Sequence, residues 1–297
     1  MRTDISFQSQ GLTCRGWLYR PAGVSDPAPA ILMSHGFSAV KEQGLDGFAR
    51  GFRAAGFVVM AFDYRFLGAS DGTPRGRIIP TEQHDDNRAA LAWLSAQPGV
   101  DPARIGIWGS SYSGGHALFM GAMDPRVKVV AAQVPAIQTA HSLVGLAGRQ
   151  GFDGYLRLLA QDHAARNAGE PAGEIAVVAP KGEPSVLATP DSYAWFNASG
   201  AKDAPNWLNR TSLESVARLA EYAPGAFIDL ISPKPLLVQA ATKDTLIPIE
   251  QVRAAFARAG EPKKLVEFDG GHFDLYPGEP FHEPALANAL DWFKTHL

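Results

Sequence analysis

Residues Arg104 to Met120 read RIGIWGSSYSGGHALFM, and the architecture turns on how that stretch is divided. Arg104 to Trp108 is a short apolar run without polar alternation, the pattern of a strand covered on both faces. Gly109-Ser110-Ser111-Tyr112-Ser113-Gly114-Gly115 follows, then the helix-forming His116-Ala117-Leu118-Phe119-Met120. A strand, a tight turn of small residues and a helix form the context of a nucleophile elbow. Small residues are needed because strand and helix approach closely there, and the strained turn pushes one side chain out above the sheet. Ser111, two residues after Gly109, takes that position. Ser113 stands where the G-x-S-x-G pattern has its second glycine, and serine is still small enough for the turn. An elbow centred on Ser113 would lack a glycine two residues earlier, which favours Ser111.

On both sides of this stretch, apolar runs alternate with helix-length segments. Asp4 to Ser9 and Thr13 to Arg20 read as an antiparallel hairpin around Gln10-Gly11. Ala30 to Ser34, Phe57 to Phe62 and Val127 to Val134 join Arg104 to Trp108 as buried parallel strands. Between them, Glu42 to Ala55 predicts a helix closed by Gly56, and Glu82 to Ala96 one capped by Thr81 and stopped by Pro98-Gly99. The pattern breaks after Pro135. Helical pieces such as Ser212 to Glu221 then lie among Gly, Pro and Asn clusters, with Ile175 to Val178 the nearest candidate strand. Alternation resumes with a strand at Pro235 to Ala241, a helix at Ile249 to Ala259, a strand at Lys264 to Phe268 and a final helix from about Ala285. The simplest account is an α/β core, residues 1–135 and 233–297, interrupted after the sixth strand by a helical insertion at 136–232.

A serine hydroxyl is a poor nucleophile without a base, and the base needs an orienter. Both stand at strand ends. The strand at Pro235 to Ala241 runs into Thr242-Lys243-Asp244-Thr245, and the next into Phe268-Asp269-Gly270-Gly271-His272. In the order Ser111, Asp244, His272, the imidazole would take the serine proton while the carboxylate fixes its tautomer. Rival carboxylates are placed less well: Asp229 falls before the strand, Glu250 inside a helix, and Asp269 too near His272 to orient it from across the site. His141 and His163 lie in the insertion, His296 at the terminus, His84 and His116 on helices and His282 just before the last helix. An oxyanion hole is expected from the Phe37 amide, in the turn His35-Gly36-Phe37-Ser38-Ala39, together with that of Tyr112. His35 is expected to hydrogen-bond its loop rather than act in chemistry.

Composition excludes several classes. The chain has 297 residues, 46% of them hydrophobic, enough to bury a core without staples. Lys and Arg total 27 against 30 Asp and Glu, so no basic excess points to nucleic acid. Cys14 is the only cysteine, which excludes an intrachain disulfide and the paired-cysteine zinc patterns. No leader-like or membrane-length apolar run is present, so the expected setting is cytoplasmic. The expectation is of no metal, no cofactor and no membrane or nucleic-acid partner, with self-association unreadable.

Gly36-Phe37-Ser38-Ala39-Val40-Lys41-Glu42, Gly68-Ala69-Ser70-Asp71-Gly72, the elbow and Gly271-His272-Phe273-Asp274 together resemble the α/β-hydrolase superfamily. Within it they resemble the branch of dienelactone-hydrolase-like proteins, bacterial capped hydrolases and fungal polyketide transferases or thiohydrolases. The resemblance implies a mostly parallel sheet flanked by helices, a Ser111–His272–Asp244 triad, an oxyanion hole at Phe37 and Tyr112, and a helical lid at 136–232. It is specific for fold and triad and weak for substrate. Dehalogenases and epoxide hydrolases carry aspartate at the elbow and dienelactone hydrolases cysteine; Ser111 departs from both. Cocaine-esterase and X-prolyl-peptidase relatives usually supply a tyrosine hydroxyl near the first oxyanion loop, where this chain has Phe37, which argues against peptidase chemistry. The leading expectation is hydrolysis of a small-molecule ester or thioester through an acyl-enzyme on Ser111. Acyl transfer from the same intermediate, carbon–carbon bond hydrolysis and a non-catalytic binding relative are the alternatives. In the insertion, Tyr193, Trp195, Phe196 and Trp207 are candidates either to line a pocket or to form the lid's own small core.

Overall fold

A computed structural model describes residues 1–23 and 27–297. The hairpin forms as expected: β1 (Arg2–Ser9) pairs antiparallel with β2 (Leu12–Tyr19) across a turn in which Gln10 and Gly11 take φ of 48° and 79°. Then come β3 (Ala28–Ser34), α1 (Leu45–Ala54), β4 (Val58–Phe62), α2 (Pro80–Ser95), β5 (Val100–Ser110), α3 (Tyr112–Met123) and β6 (Val127–Gln133). Several boundaries differ from the sequence reading: helix α1 starts at Leu45 rather than Glu42, and the last helix takes in His282. Helix α2 starts at Pro80, which suits a first helical position because its nitrogen has no proton to lose, so Thr81 lies inside the helix and caps nothing. Strand β5 begins at Val100, four residues early, because Val100 pairs back onto Ala28.

Beyond β6 the chain leaves the sheet. It forms α4 (Thr139–Asn167), β7 (Glu174–Ile175), α5 (Pro190–Asp203), β8 (Thr211–Ser212), α6 (Leu213–Ala220) and a 3-10 helix at Pro224–Ile231. The strand expected at Ile175 to Val178 shrinks to the two residues of β7, which pair antiparallel with β8 in a separate small sheet. The helix at Ser212 to Glu221 forms as α6, with Ser212 Oγ accepting the Ser215 amide at 3.1 Å as its cap. β9 (Leu236–Ala241), α7 (Ile249–Arg258), β10 (Lys263–Phe268) and α8 (His282–His296) complete the chain.

The main sheet has the order β1-β2-β4-β3-β5-β6-β9-β10, parallel from β4 onward. Its strands alternate between two cores. Leu32 and Ile107 face Leu91 of α2 and Leu118 of α3, whereas Met33 and Trp108 face Phe48 of α1 and Phe293 of α8. Because β3, β5, β9 and β10 all run in one direction, the turns after them open on one edge. That edge receives His35-Gly36-Phe37, Ser111, Asp244 and His272.

The inserted segment is bolted across this edge by its own polar groups. The Trp207 indole donates to the Ser38 carbonyl at 3.1 Å, Thr211 Oγ1 to the Gly76 carbonyl at 2.8 Å, and the Ile78 amide to Ser215 Oγ at 2.8 Å.

Candidate active site

The turn after β5 carries Ser111 at φ 60° and ψ −124°, a conformation few side chains tolerate. Its surroundings hold it there: the Ser111 amide donates to the Gln133 carbonyl at 2.9 Å, and its carbonyl accepts the amides of Gly115 and Ala136 at 3.2 and 3.0 Å. Glycine is required at 109, where a Cβ would collide with the Ser113 carbonyl oxygen, and at 114, where it would meet the Gln133 carbonyl oxygen at 2.9 Å. The close approach of strand and helix thus rules out a side chain at both flanks.

Three residues far apart in the chain converge here. His272 Nε2 lies 2.9 Å from Ser111 Oγ, and His272 Nδ1 lies 2.6 Å from Asp244 Oδ2. The carboxylate leaves Nδ1 as the donor and Nε2 as the acceptor of the serine proton. Asp244 is itself fixed, its Oδ1 accepting the amides of Leu246 and Ile247 at 2.8 Å each. The His272 and Asp244 side chains are only 1% and 2% exposed, so water does not compete for their bond. Of the rival acids, Asp269 points outward to Lys243 at 3.0 Å, and its exposed side chain stays off His272. His141, His163, His282 and His296 do not join the cluster; His282 pairs with Glu283 at 3.2 Å.

Phe37 and Tyr112 stand on either side of Ser111. Their rings pack edge to face at 5.5 Å, and all three residues line one cavity. As the first residue of α3, Tyr112 has an amide with no preceding turn to bond. Among the described residues, the Phe37 amide has no carbonyl partner in the turn. His35 behaves as a loop residue: its Nδ1 lies 3.0 Å from the Gly36 carbonyl, and burial lowers its pKa despite the nearby Asp63.

Sequence reasoning missed what braces the loop. Lys41 Nζ is buried 2.7 Å from Asp63 Oδ2 and 2.7 Å from Glu42 Oε1, and the Lys41 amide also donates to Asp63. Burial works against the ammonium charge, yet Asp63 and Glu42 outweigh it and hold the pKa above the ordinary lysine value. The Ser113 hydroxyl donates to the His35 carbonyl and pairs with Tyr64 OH at 2.9 Å, which in turn accepts from Asn87 Nδ2 at 3.2 Å. Ser113, Tyr64 and Asn87 are fully buried. The serine that replaces the motif's second glycine therefore ties the elbow to the His35-Gly36-Phe37 turn. The only sign in the sequence was a polar residue in a motif position that needs none.

Among the described residues no cluster of His, Cys, Asp or Glu is built to hold a metal ion, and no helix is long and apolar enough to cross a membrane.

The polyketide transferase ATR5 of Stachybotrys chlorohalonatus is 31% identical over all of this chain and 98% of its own length. A thiohydrolase of Eupenicillium brefeldianum is 31% identical over 94% of this chain and 90% of its own. Among solved structures, the α/β hydrolase GrgF of Penicillium sp. sh18 superposes with a TM-score of 0.85 at 28% identity, covering 100% of this chain and 99% of that one. With these relatives, and with a family match over residues 15–273 that takes in the elbow, the Asp244 turn and the His272 loop, the chain belongs to the α/β hydrolases of the family described as X-Pro dipeptidyl-peptidase (S15 family).

Proposed function

We propose that the protein is a serine hydrolase of carboxylic esters or thioesters, with Ser111 as nucleophile, His272 as base and Asp244 as its orienter. The observation that carries this is the continuous relay Ser111 Oγ, His272 Nε2, His272 Nδ1, Asp244 Oδ2, with steps of 2.9 and 2.6 Å. In the first half-reaction the Oγ–H proton passes to His272 Nε2 as Oγ bonds to the acyl carbon. The oxyanion receives the amides of Phe37 and Tyr112. When it collapses, the carbon–oxygen or carbon–sulfur bond to the leaving group breaks, and His272 protonates that group. Water then gives a proton to His272 as its oxygen bonds to the acyl carbon. That proton returns to Ser111 Oγ as the acid departs.

The acyl portion of the substrate is apolar and uncharged. The cavity of about 60 Å³ beside Ser111 is walled by Leu143, Leu146, Leu187, Leu219, Leu246 and Ile247, with no charged side chain. Leu143, Leu146, Leu187 and Leu219 come from the inserted segment, which supports reading residues 136–232 as a helical cap over a core of 1–135 and 233–297. Ester or thioester is favoured over peptide because Phe37 offers no hydroxyl at the oxyanion loop. The relatives named thiohydrolase and polyketide transferase agree with an acyl-enzyme that passes to water or to another acceptor.

Ser111→Ala is expected to lower turnover of p-nitrophenyl butyrate by at least about a thousandfold with folding intact. A serine-reactive phosphonate should add its mass to the wild type at Ser111 only. Wild-type rates in the alanine variant would remove Ser111 from the mechanism.

A further inference from the structure

Ser111 stands between two cavities of different character. One is the apolar cavity of about 60 Å³ already described. The other, of about 20 Å³, lies on the His272 side, against Phe273, Tyr276 and Trp195. Acid–base chemistry decides which substrate portion goes where. The group that gains a proton when the acyl-enzyme forms, and the group that loses one when it is discharged, must both reach His272 Nε2. Leaving group and acyl acceptor therefore share the second cavity, which holds about one water molecule.

That cavity ends at an aromatic wall. Trp195 of α5 stacks on Phe273 with centroids 4.9 Å apart and planes at 20°, and lies 4.9 Å from the Tyr276 ring. Tyr276 is pinned by a 2.9 Å bond to Ser110 Oγ, and Phe273 packs on the His272 ring at 4.9 Å. The wall rests on Gly44, where a Cβ would come within 2.9 Å of Tyr276 and 3.7 Å of Trp195. Trp195 also faces the other way, into a polar surface cavity of about 440 Å³. Arg2, Arg50 and Lys202 are matched there by Glu42, Asp46 and Asp203, so the cavity favours neither sign of charge. It suits a neutral chain rich in hydroxyl or amide groups.

We propose that Trp195 is the specificity-determining residue for the leaving group and the acyl acceptor, a door between the His272 cavity and this polar cavity. With the indole closed, the acyl-enzyme meets water alone. With it turned aside, an alcohol or thiol on a long polar chain reaches His272 while its body lies among the charged side chains. In transfer, the acceptor's oxygen or sulfur bonds to the acyl carbon, the Ser111 Oγ–carbon bond breaks, and the acceptor proton passes through His272 Nε2 to Ser111 Oγ. This inference rests on the acyl-enzyme reading above.

The test compares wild type, Trp195→Ala and Trp195→Phe on two butyryl thioesters that differ only in the thiol, ethanethiol or pantetheine. Transfer of butyryl from p-nitrophenyl butyrate to added pantetheine is measured alongside. Trp195→Ala is expected to raise the kcat/KM ratio of pantetheine over ethanethiol thioester at least tenfold and to increase the transferred fraction, with Trp195→Phe between. An unchanged or lower ratio in both variants overturns the proposal. Should Trp195→Ala fail to fold, Trp195→Phe, which keeps an aromatic ring on Phe273, decides by the same ratio. A wild type that turns over p-nitrophenyl butyrate while the ratio stays fixed defeats the door alone. A wild type inert toward all three substrates defeats the acyl-enzyme reading on which it stands.

Discussion

Ser113 sits one helical residue beyond Tyr112, and its hydroxyl serves two buried partners at once, the His35 carbonyl and the Tyr64 phenol. Ser113→Ala strands the buried His35 carbonyl, a cost of about 1–3 kcal/mol in stability, while the Tyr64 oxygen keeps its bond from Asn87 Nδ2. The larger effect falls on chemistry. The His35 turn carries Phe37, and in the mechanism proposed above a small displacement of that amide weakens its bond to the developing oxyanion while leaving ground-state binding almost untouched. The expected result is a kcat about tenfold lower with KM nearly unchanged, read from initial rates on p-nitrophenyl butyrate. Affinity for a boronic acid that mimics the tetrahedral intermediate should fall in parallel. A change confined to KM or to thermal stability would mean that the hydroxyl only fills space. Gly109 teaches the complementary lesson. Its identity was legible in the motif, but the reason, a carbonyl occupying the place of any Cβ, belongs to the packed turn.

Among the helices, α4 is broken at Gly148, whose φ of 68° and ψ of 168° lie in a region open only to glycine. The half before the break carries Leu143 and Leu146 into the apolar cavity beside Ser111, while the half after it runs to Asn167. A Cβ at Gly148 would meet nothing within 4 Å, so an alanine there acts through the backbone alone. Gly148→Ala is expected to cost about 1–3 kcal/mol locally. It should speed amide exchange over residues 139–147 while β5 and α3 stay protected. Longer acyl esters should lose more kcat/KM than acetate esters. Equal protection and an unchanged acyl preference would mean that the break does not set the cavity wall. The sequence reading expected helical pieces in the insertion without bounding this helix or its break, because a glycine inside a helical run reads the same whether it continues or interrupts the helix. The strand expected at Ile175 to Val178 failed for a related reason. Val177 and Val178 are buried by packing against the core, with only Glu174 and Ile175 paired in a ladder.

The folded chain as a whole carries a pH signature in histidines that do no chemistry. His84 of α2 and His116 of α3 lie 3.0 Å apart beneath the elbow, and His116 is also bonded to Gln83 and Tyr222 at 2.9 and 2.7 Å. Burial pushes His84 down to about 3, with Arg88 adding to it. Burial likewise drives His116 well below the ordinary histidine value, helped by His84 and His35. The unfolded chain binds protons near pH 6.5 that the folded chain refuses, so stability is full above that value and falls as the solution is acidified toward 3. Each such group contributes a slope of about 1.4 kcal/mol per pH unit. Urea unfolding between about pH 6 and pH 4 should show this loss, and His84→Gln should reduce the slope by about that amount. A slope unchanged by the substitution would place the acid sensitivity elsewhere.

Local chemistry was enough to read the alternation of strands and helices, the elbow at Ser111 and the order of the three polar residues at strand ends. Apolar runs, small residues at a tight turn and side-chain types of known reactivity each announce themselves over a few positions. Which distant groups meet became visible only in the folded chain: the strut from Ser113 to the His35 turn, the buried Lys41–Asp63 pair beside it, and the two faces of Trp195. No spacing along the chain encodes those meetings, because they are fixed by how strands of one direction bring their ends to one edge and how the inserted helices close over it.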